Sequence, residues 1–307
     1  MVVETPKKIV LSGGSGLLGT ALRRRIEAAY SVVQLVRERG AGNAGVVWNP
    51  RSRPALMDGE ALEGCEAAIH LGGANLAGRR WTAAYRREIL ESRVGSTQAL
   101  VAVLRGLRHP PRTLIVASAI GIYGECGDAI VDESSPQGEG FLADVCQRWE
   151  AAAEPAREAG IRVVHARFGV VVGSGPGALG KMLPLFRLGL GGRLGSGRQW
   201  MSWVSLEDVV EAMVFVLETP GIAGPVNVTS PEPVTNAVFT RELGKAVHRP
   251  AVLPVPGFAL RVALGPMADE ALLVSTRAVP AKLTAAGFGF RYPRVREAVR
   301  RGIGDRK

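Results

Sequence analysis

The segment KIVLSGGSGLLGTAL, residues 8–22, constrains this chain more than any other stretch. An apolar run of strand length passes directly into a glycine turn and then into an amphipathic helix. Gly13, Gly16 and Gly19 form GxxGxxG, and Gly14, Gly16 and Gly19 also satisfy GxGxxG. Glycine is demanded where a turn is tight, where backbone NH groups approach a pyrophosphate, and where a helix packs closely on a strand. A bare glycine pattern says little, but a strand before it and a helix after it give it meaning. The segment therefore reads as a dinucleotide loop with Gly13, Ser15, Gly16, Leu17, Leu18 and Gly19 as contact residues. The competing reading is a glycine-rich turn without a ligand.

Further apolar runs follow at SVVQLV (31–36), AAIHLG (67–72), TLIVAS (113–118) and RVVHARFGVVV (162–172), separated by helical patterns near 17–29, 81–106 and 141–159. Short runs of Val, Ile and Leu alternating with helices indicate a parallel sheet covered on both faces. The expected fold is α/β, a doubly wound parallel sheet of Rossmann type with a smaller C-terminal substrate-side region. Residues 1–173 read as the dinucleotide-binding domain, and 174–307 as the smaller region, where the pattern loosens into Gly- and Pro-rich segments. Within the latter, 205–230 returns to the sheet through an apolar helix near 206–218 and a strand at PVNVTS.

Composition narrows the function classes. With 47% hydrophobic and 21% charged residues, 307 residues can bury one large core or two modest ones. The N-terminal stretch shows neither a signal-peptide core nor about 20 consecutive apolar residues, so a cytoplasmic protein without a membrane partner is expected. Cys65, Cys126 and Cys146 are odd in number and lack CxxC spacing, which argues against disulfides and against a metal site. The formal charge of +10 raises the possibility of nucleic acid, but the arginines are scattered. The run Arg23-Arg24-Arg25 falls on the first helix as a solvated face, and no nucleic-acid motif accompanies it. The expected partner is a small-molecule substrate, and the oligomeric state stays open.

The end of the second strand chooses the dinucleotide. A bare ribose wants an acidic residue here, whereas a 2′-phosphate wants an arginine. The chain offers Val36 and then Arg37, with Arg39 close behind, so NADP(H) is the expected cofactor. Glu38 beside Arg37 keeps open the alternative that Arg37 only decorates the surface.

LSGGSGLLG, HLGGANLAGRRW, LESRVGST, VASAIGIYG, FLADVCQRWE, RFGVVVG, GLGGRLGSGRQWMSWVSLEDVV and PVTNAVFTREL occur in this order. Together they closely resemble the YfcH-like, epimerase-family, atypical extended short-chain dehydrogenases/reductases. The likeness extends through LPVPGFALRVALGPMADEALL, which resembles that family's own terminal domain. The resemblance implies an NADP(H)-binding Rossmann fold and a nucleoside-diphosphate-sugar epimerase label. It also implies that Leu71 and Gly72 pass the cofactor, that Arg37 meets the 2′-phosphate, and that Glu88, Arg93 and Arg167 are its neighbours. Arg93 stands where ordinary extended members carry an active-site asparagine.

Ordinary members use Ser or Thr followed by Tyr-x-x-x-Lys, the lysine lowering the tyrosine pKa so that it can exchange a proton. Aligned with them, Ser118 is the hydroxyl, with Ala119 as the alternative occupant of that position. Leu142 falls at the tyrosine and Cys146 at the lysine. Tyr123, in the loop after Ser118, either substitutes as the acid or packs its loop. Cys146 is either a nucleophile or a small buried helix residue. The candidate catalytic set is therefore Ser118, Tyr123 and Cys146, and none of the four histidines has ligand spacing. Met201 occupies the place of an arginine that grips a diphosphate, which points to a small, non-nucleotide substrate. Trp200, Met201 and Trp203 form an apolar, aromatic wall, or the two tryptophans pack a core, while Lys181 and Arg187 could supply a compensating positive charge. An oxidoreductase or epimerase is the first functional reading, and an NADP(H)-binding sensor without turnover is the second.

Overall fold

The computed structural model describes residues 6–38, 45–52, 55 and 59–304. Arg39 lies outside the described residues. The sheet is built from β1 (Lys8–Ser12), β2 (Ser31–Val36), β3 (Val46–Val47), β4 (Ala67–His70), β5 (Thr113–Ala119), β6 (Arg162–Phe168) and β7 (Gly224–Val228). These seven strands lie in the order β7-β6-β5-β4-β1-β2-β3. Every pairing is parallel. The order reverses between β1 and β4, because the chain moves outward through β2 and β3 before returning. Such a reversal opens a crevice at the carboxyl ends of the strands.

Successive side chains on a strand face opposite sides, and here both sides are covered. On one, Ile9, Leu11, Ile69 and Ile115 pack with Leu22 and Ile26 of α1 (Leu17–Ile26) and with Met213 and Val216 from the later helix Leu206–Glu218. On the other, Val10, Ala68, Leu114 and Val116 meet Leu100 and Leu104 of α2 (Ala83–Arg105) and Trp149 of α3 (Phe141–Ala153). Burying each Ile or Leu contributes roughly 1.5–3 kcal/mol, so the sheet sandwiched between helices is the principal source of stability.

Beyond the sheet, α4 (Ala178–Arg187), α5 (Leu206–Glu218) and α6 (Asn236–Ala246) are followed by α7 (Gly257–Leu264) and α8 (Val295–Gly302). A separate core joins Phe186 of α4, Trp203, Phe239 and Leu243 of α6, and Val299 of α8. Trp203 is fully buried there, and its indole NH donates to the Glu232 carbonyl at 3.0 Å. It is core packing and not a cavity wall. Trp200 donates to Asp128 at 2.8 Å and lies beneath the Arg277 guanidinium, 4.0 Å from the ring centroid. No helix among the described residues is long and apolar enough to cross a membrane.

His70 ends β4 fully buried between two hydroxyls, Ser12 at 3.0 Å from Nδ1 and Ser96 at 2.9 Å from Nε2. Burial pushes its pKa down to about 4. The unfolded chain takes up this proton near the ordinary value of about 6.5, so stability is intact above that pH and falls as the pH drops toward 4. Between pH 7 and pH 4.5 this one group should remove on the order of 2–3 kcal/mol. Urea unfolding at both pH values, compared with His70→Gln, checks it: the acid loss should shrink in the variant, and an equal loss in both proteins would contradict this account.

Candidate cofactor and active site

The glycine turn sits at the carboxyl end of β1, beside the end of β4. Gly13 adopts φ +80°, and a Cβ there would lie 2.7 Å from the Leu71 carbonyl carbon. A Cβ on Gly19 would stand 2.1 Å from the Gly13 carbonyl oxygen, so α1 can seat on the turn only with glycine at that position. Gly16 is different: a Cβ there would meet only the Gly13 carbonyl oxygen, at 3.5 Å, and Ser15 and Gly16 are exposed. Two glycines thus close the turn inward and the third leaves its outer surface open.

Gly16 also N-caps α1 without a side-chain cap, and the first turn carries no acidic residue. The first-turn amides of a helix are orphan donors, and the helix dipole adds partial positive charge. Leu17, Leu18 and Gly19 supply those amides. An anion fits this surface. Along the same crevice, half-buried Val36 ends β2 and exposed Arg37 follows it; no carboxylate stands at either position. Leu71 and Gly72 continue β4 past His70, with the Leu71 NH donating to the Ser12 carbonyl at 2.9 Å. From the far side, Leu17 reaches the positions where Cβ atoms of Gly175 and Gly177 would stand, at 3.2 and 2.9 Å. Lys181 of α4 donates to the Ala77 carbonyl at 2.5 Å.

The remaining residues taken from the family pattern are arranged otherwise. Glu88 is half-buried on α2. Arg93 is buried behind the loop after β4, donating to the carbonyls of Ile89 at 3.2 Å and Ala74 at 3.1 Å and lying 5.1 Å from the Trp149 ring centroid. Burial lowers its pKa, against the opposing influence of Cys146 and Tyr85. Arg167, on β6, is 4% exposed and forms a two-pronged ion pair with Glu150 of α3, at 2.8 and 2.9 Å.

That ion pair also binds two of the candidate catalytic groups. The Ser118 hydroxyl donates to Glu150 at 2.7 Å. Arg167 donates to the Tyr123 hydroxyl at 2.9 Å, and that hydroxyl donates onward to the Asn227 side-chain oxygen at 2.8 Å. The network is buried throughout. Burial raises the Tyr123 pKa even though Arg167 and Asn227 act to lower it. Burial also opposes the Arg167 charge, and the Glu150 carboxylate more than offsets it, leaving the guanidinium held above its ordinary value. Cys146 is fully enclosed one turn before Glu150, and burial, reinforced by Glu150, pushes its thiol up to about 12. It packs with Ile122, Tyr123 and Ala119.

Leu142, which the family resemblance sets at the tyrosine position, lines a cavity of about 420 Å³ between the sheet end and residues 261–276 of the C-terminal lobe. The rim includes Glu125, Glu139, Asp269 and Glu270, with one cation, Arg261, which is paired to Asp269 at 2.9 Å. Glu270 accepts from the backbone NH groups of Phe141 and Leu142 at 3.0 and 3.1 Å. A carboxylate from the C-terminal lobe thus caps the start of α3. Met201 faces Asn236, whose amide lies 3.4 Å from its sulfur.

Sequence reasoning did not single out Glu150, Asn227 or Glu270. Glu150 had a usable signal, since it falls on the buried stripe of α3 with Cys146, Trp149 and Ala153. A carboxylate on an apolar stripe requires a buried cation as partner. Asn227 and Glu270 offered no local signal, because their partners lie 104 and 129 residues away.

Fold and crevice together define a doubly wound dinucleotide-binding protein with a C-terminal lobe over the carboxyl end of its sheet. The NAD dependent epimerase/dehydratase family matches residues 9–228, and a domain of unknown function (DUF1731) matches 255–301. The chain belongs to this epimerase family. It is 46% identical over 292 residues to epimerase family protein Mb2239 of Mycobacterium bovis, covering 95% of this chain and 96% of that protein. It is 36% identical over 305 residues to epimerase family protein YfhF of Bacillus subtilis, with 97% and 99% covered. The crystal structure of human epimerase family protein SDR39U1 (isoform 2) with NADPH superposes with a TM-score of 0.87 at 31% identity, covering 96% of this chain and 98% of that one.

Proposed function

We propose that this chain is an NADP(H)-binding protein of the atypical extended short-chain dehydrogenase/reductase type, YfcH-like, that works in the cytoplasm as a sensor or regulator. The observation that carries the proposal is the commitment of Ser118 and Tyr123 to Glu150, Arg167 and Asn227 within one buried network. Beside them, Leu142 has no proton to give and Cys146 is a thiol far from ionising near neutrality.

The cofactor assignment is supported by the uncapped α1 N-terminus, the open Gly16 and exposed Arg37, and by the NADPH in the human SDR39U1 structure. Gly13, Ser15, Gly16, Leu17, Leu18 and Gly19 would hold the pyrophosphate. Val36 and Arg37 would face the 2′-phosphate, with Leu71 and Gly72 along the cofactor's flank. Bound nicotinamide supplies a hydride donor or acceptor. Arg93, Glu88 and Arg167 act at one remove in this reading, Arg93 by bracing the Gly73–Ala74 backbone.

The cavity beside Leu142 favours a second reading, an oxidoreductase or epimerase acting on a small substrate. Its volume lies within the usual range for ligand sites. Its excess of carboxylates would repel a nucleoside diphosphate, so the occupant in either reading is a non-nucleotide molecule.

NADPH oxidation followed against a panel of carbonyl compounds and sugars separates the two readings. With a site that titrates calorimetrically, consumption should stay at the non-enzymatic rate in the parent protein and in Ser118→Ala alike. Substrate-dependent oxidation that Ser118→Ala abolishes would overturn the sensor reading and return Ser118 to the chemistry.

A further inference from the structure

Seven of the large hydrophobic residues that are strongly exposed lie in the C-terminal lobe: Leu185, Leu188, Leu190, Val252, Leu253, Phe258 and Val262. They fall on two strips of chain that run side by side. The Leu253 NH donates to the Gly191 carbonyl at 3.3 Å, the Val255 NH to Arg193 at 2.9 Å, and the Gly195 NH to Val255 at 2.8 Å. Arg249 ties the start of the second strip to the Arg187 carbonyl at 3.2 Å. α7 begins directly after this pairing, with Pro256 as its N-cap. Phe258 and Val262 stand four residues apart on one face of that helix and are 70% and 72% exposed.

The charge on these strips has one sign. Residues 174–206 contain Lys181, Arg187, Arg193 and Arg198 and no carboxylate. Residues 243–268 contain Lys245, Arg249 and Arg261 and again none. Lys181, Arg187, Arg193, Arg249 and Arg261 are all exposed. Asp269, just beyond, is already paired with Arg261.

We infer that this edge of the C-terminal lobe is a peripheral docking surface for an anionic phospholipid membrane. Apolar side chains that are 48–73% exposed, with guanidinium groups among them, suit a deformable interface that accepts both hydrocarbon and cations. The cytoplasmic leaflet presents such a surface, since its anionic lipids attract clustered Lys and Arg. A second copy of the chain is the wrong partner, because a two-fold interface sets the same patch against itself and would oppose arginine to arginine. The inference departs from the expectation of no membrane partner, which rested on the lack of a spanning segment and did not address adsorption at a surface. It does not depend on the proposed function.

Co-sedimentation of the full chain with vesicles of phosphatidylcholine, with and without phosphatidylglycerol, tests it. Binding should rise about tenfold or more when the anionic lipid is present and fall with added salt. The pair Phe258→Ser with Val262→Ser should reduce binding on all vesicles, and Arg187→Gln with Arg193→Gln should remove the preference for phosphatidylglycerol. Both variants should keep the parent thermal transition and NADPH affinity, which shows that the fold survives. Absence of sedimentation with either vesicle would overturn the inference. So would a parent dimer that the Phe258 and Val262 changes dissociate.

Discussion

Replacing Glu150 with alanine is expected to cost the fold about 3–5 kcal/mol, the range seen when one partner of a buried ion pair is removed. The loss has two parts. Arg167 keeps its charge at 4% exposure with its carboxylate gone, and the Ser118 hydroxyl loses its acceptor. For a chain of this length such a loss corresponds to a fall of roughly 5–8 °C in the thermal midpoint. Glu150→Gln should be milder, because an amide oxygen can still accept from Ser118 while the ionic component disappears. The pair Glu150→Leu with Arg167→Met should recover most of the stability, since apolar residues of similar volume often replace a buried ion pair without loss. Chemical denaturation of the four proteins gives the comparison directly. A loss below about 1 kcal/mol in Glu150→Ala would place this pair among weakly contributing surface bridges and contradict the network described above.

Arg37→Ala should weaken NADPH binding about tenfold to a hundredfold while leaving NADH nearly unchanged. The effect is electrostatic. A 2′-phosphate carries close to two negative charges, and charge-assisted hydrogen bonds from one guanidinium contribute roughly 1.5–3 kcal/mol. Arg37 is exposed, so the effect should be largest at low ionic strength and shrink as salt screens it. Val36→Asp should shift preference the other way, by offering the bare ribose an acceptor and repelling the phosphate. Equal weakening of both nucleotides by Arg37→Ala would show that the residue supports the crevice generally and does not read the phosphate.

The parts of this molecule that were legible in its sequence are those fixed by neighbours in the chain. The β1-turn-α1 unit is dictated within a few residues: Gly13 must take a positive φ, and Gly19 must lack a Cβ because the Gly13 carbonyl occupies its place. The apolar runs that became β4, β5 and β6 were equally plain, since strands buried on both faces need no polar alternation. The candidate active site was harder to read because its meaning lies in pairings across the chain. Ser118 and Tyr123 are hydroxyls at the right end of the sheet, and sequence position alone left them available for chemistry. Their engagement depends on Glu150 and Arg167, 32 and 44 residues further on, reached only when α3 packs on β5 and β6. Trp203 similarly offered two readings until α6 and α8 closed around it. The capping of α3 by Glu270 had no local trace, since helix-capping patterns look to adjacent residues and this carboxylate arrives from the C-terminal lobe.

On the proposed reading, the crevice between β1, β2 and β4 receives a dinucleotide bearing a 2′-phosphate. Titrating NADPH and NADH into the unmodified protein by calorimetry, at one low salt concentration, tests it most directly. NADPH should bind about ten- to a hundredfold more tightly than NADH, at one site per chain. Equal affinity for the two nucleotides, or no saturable heat with either, would contradict the account.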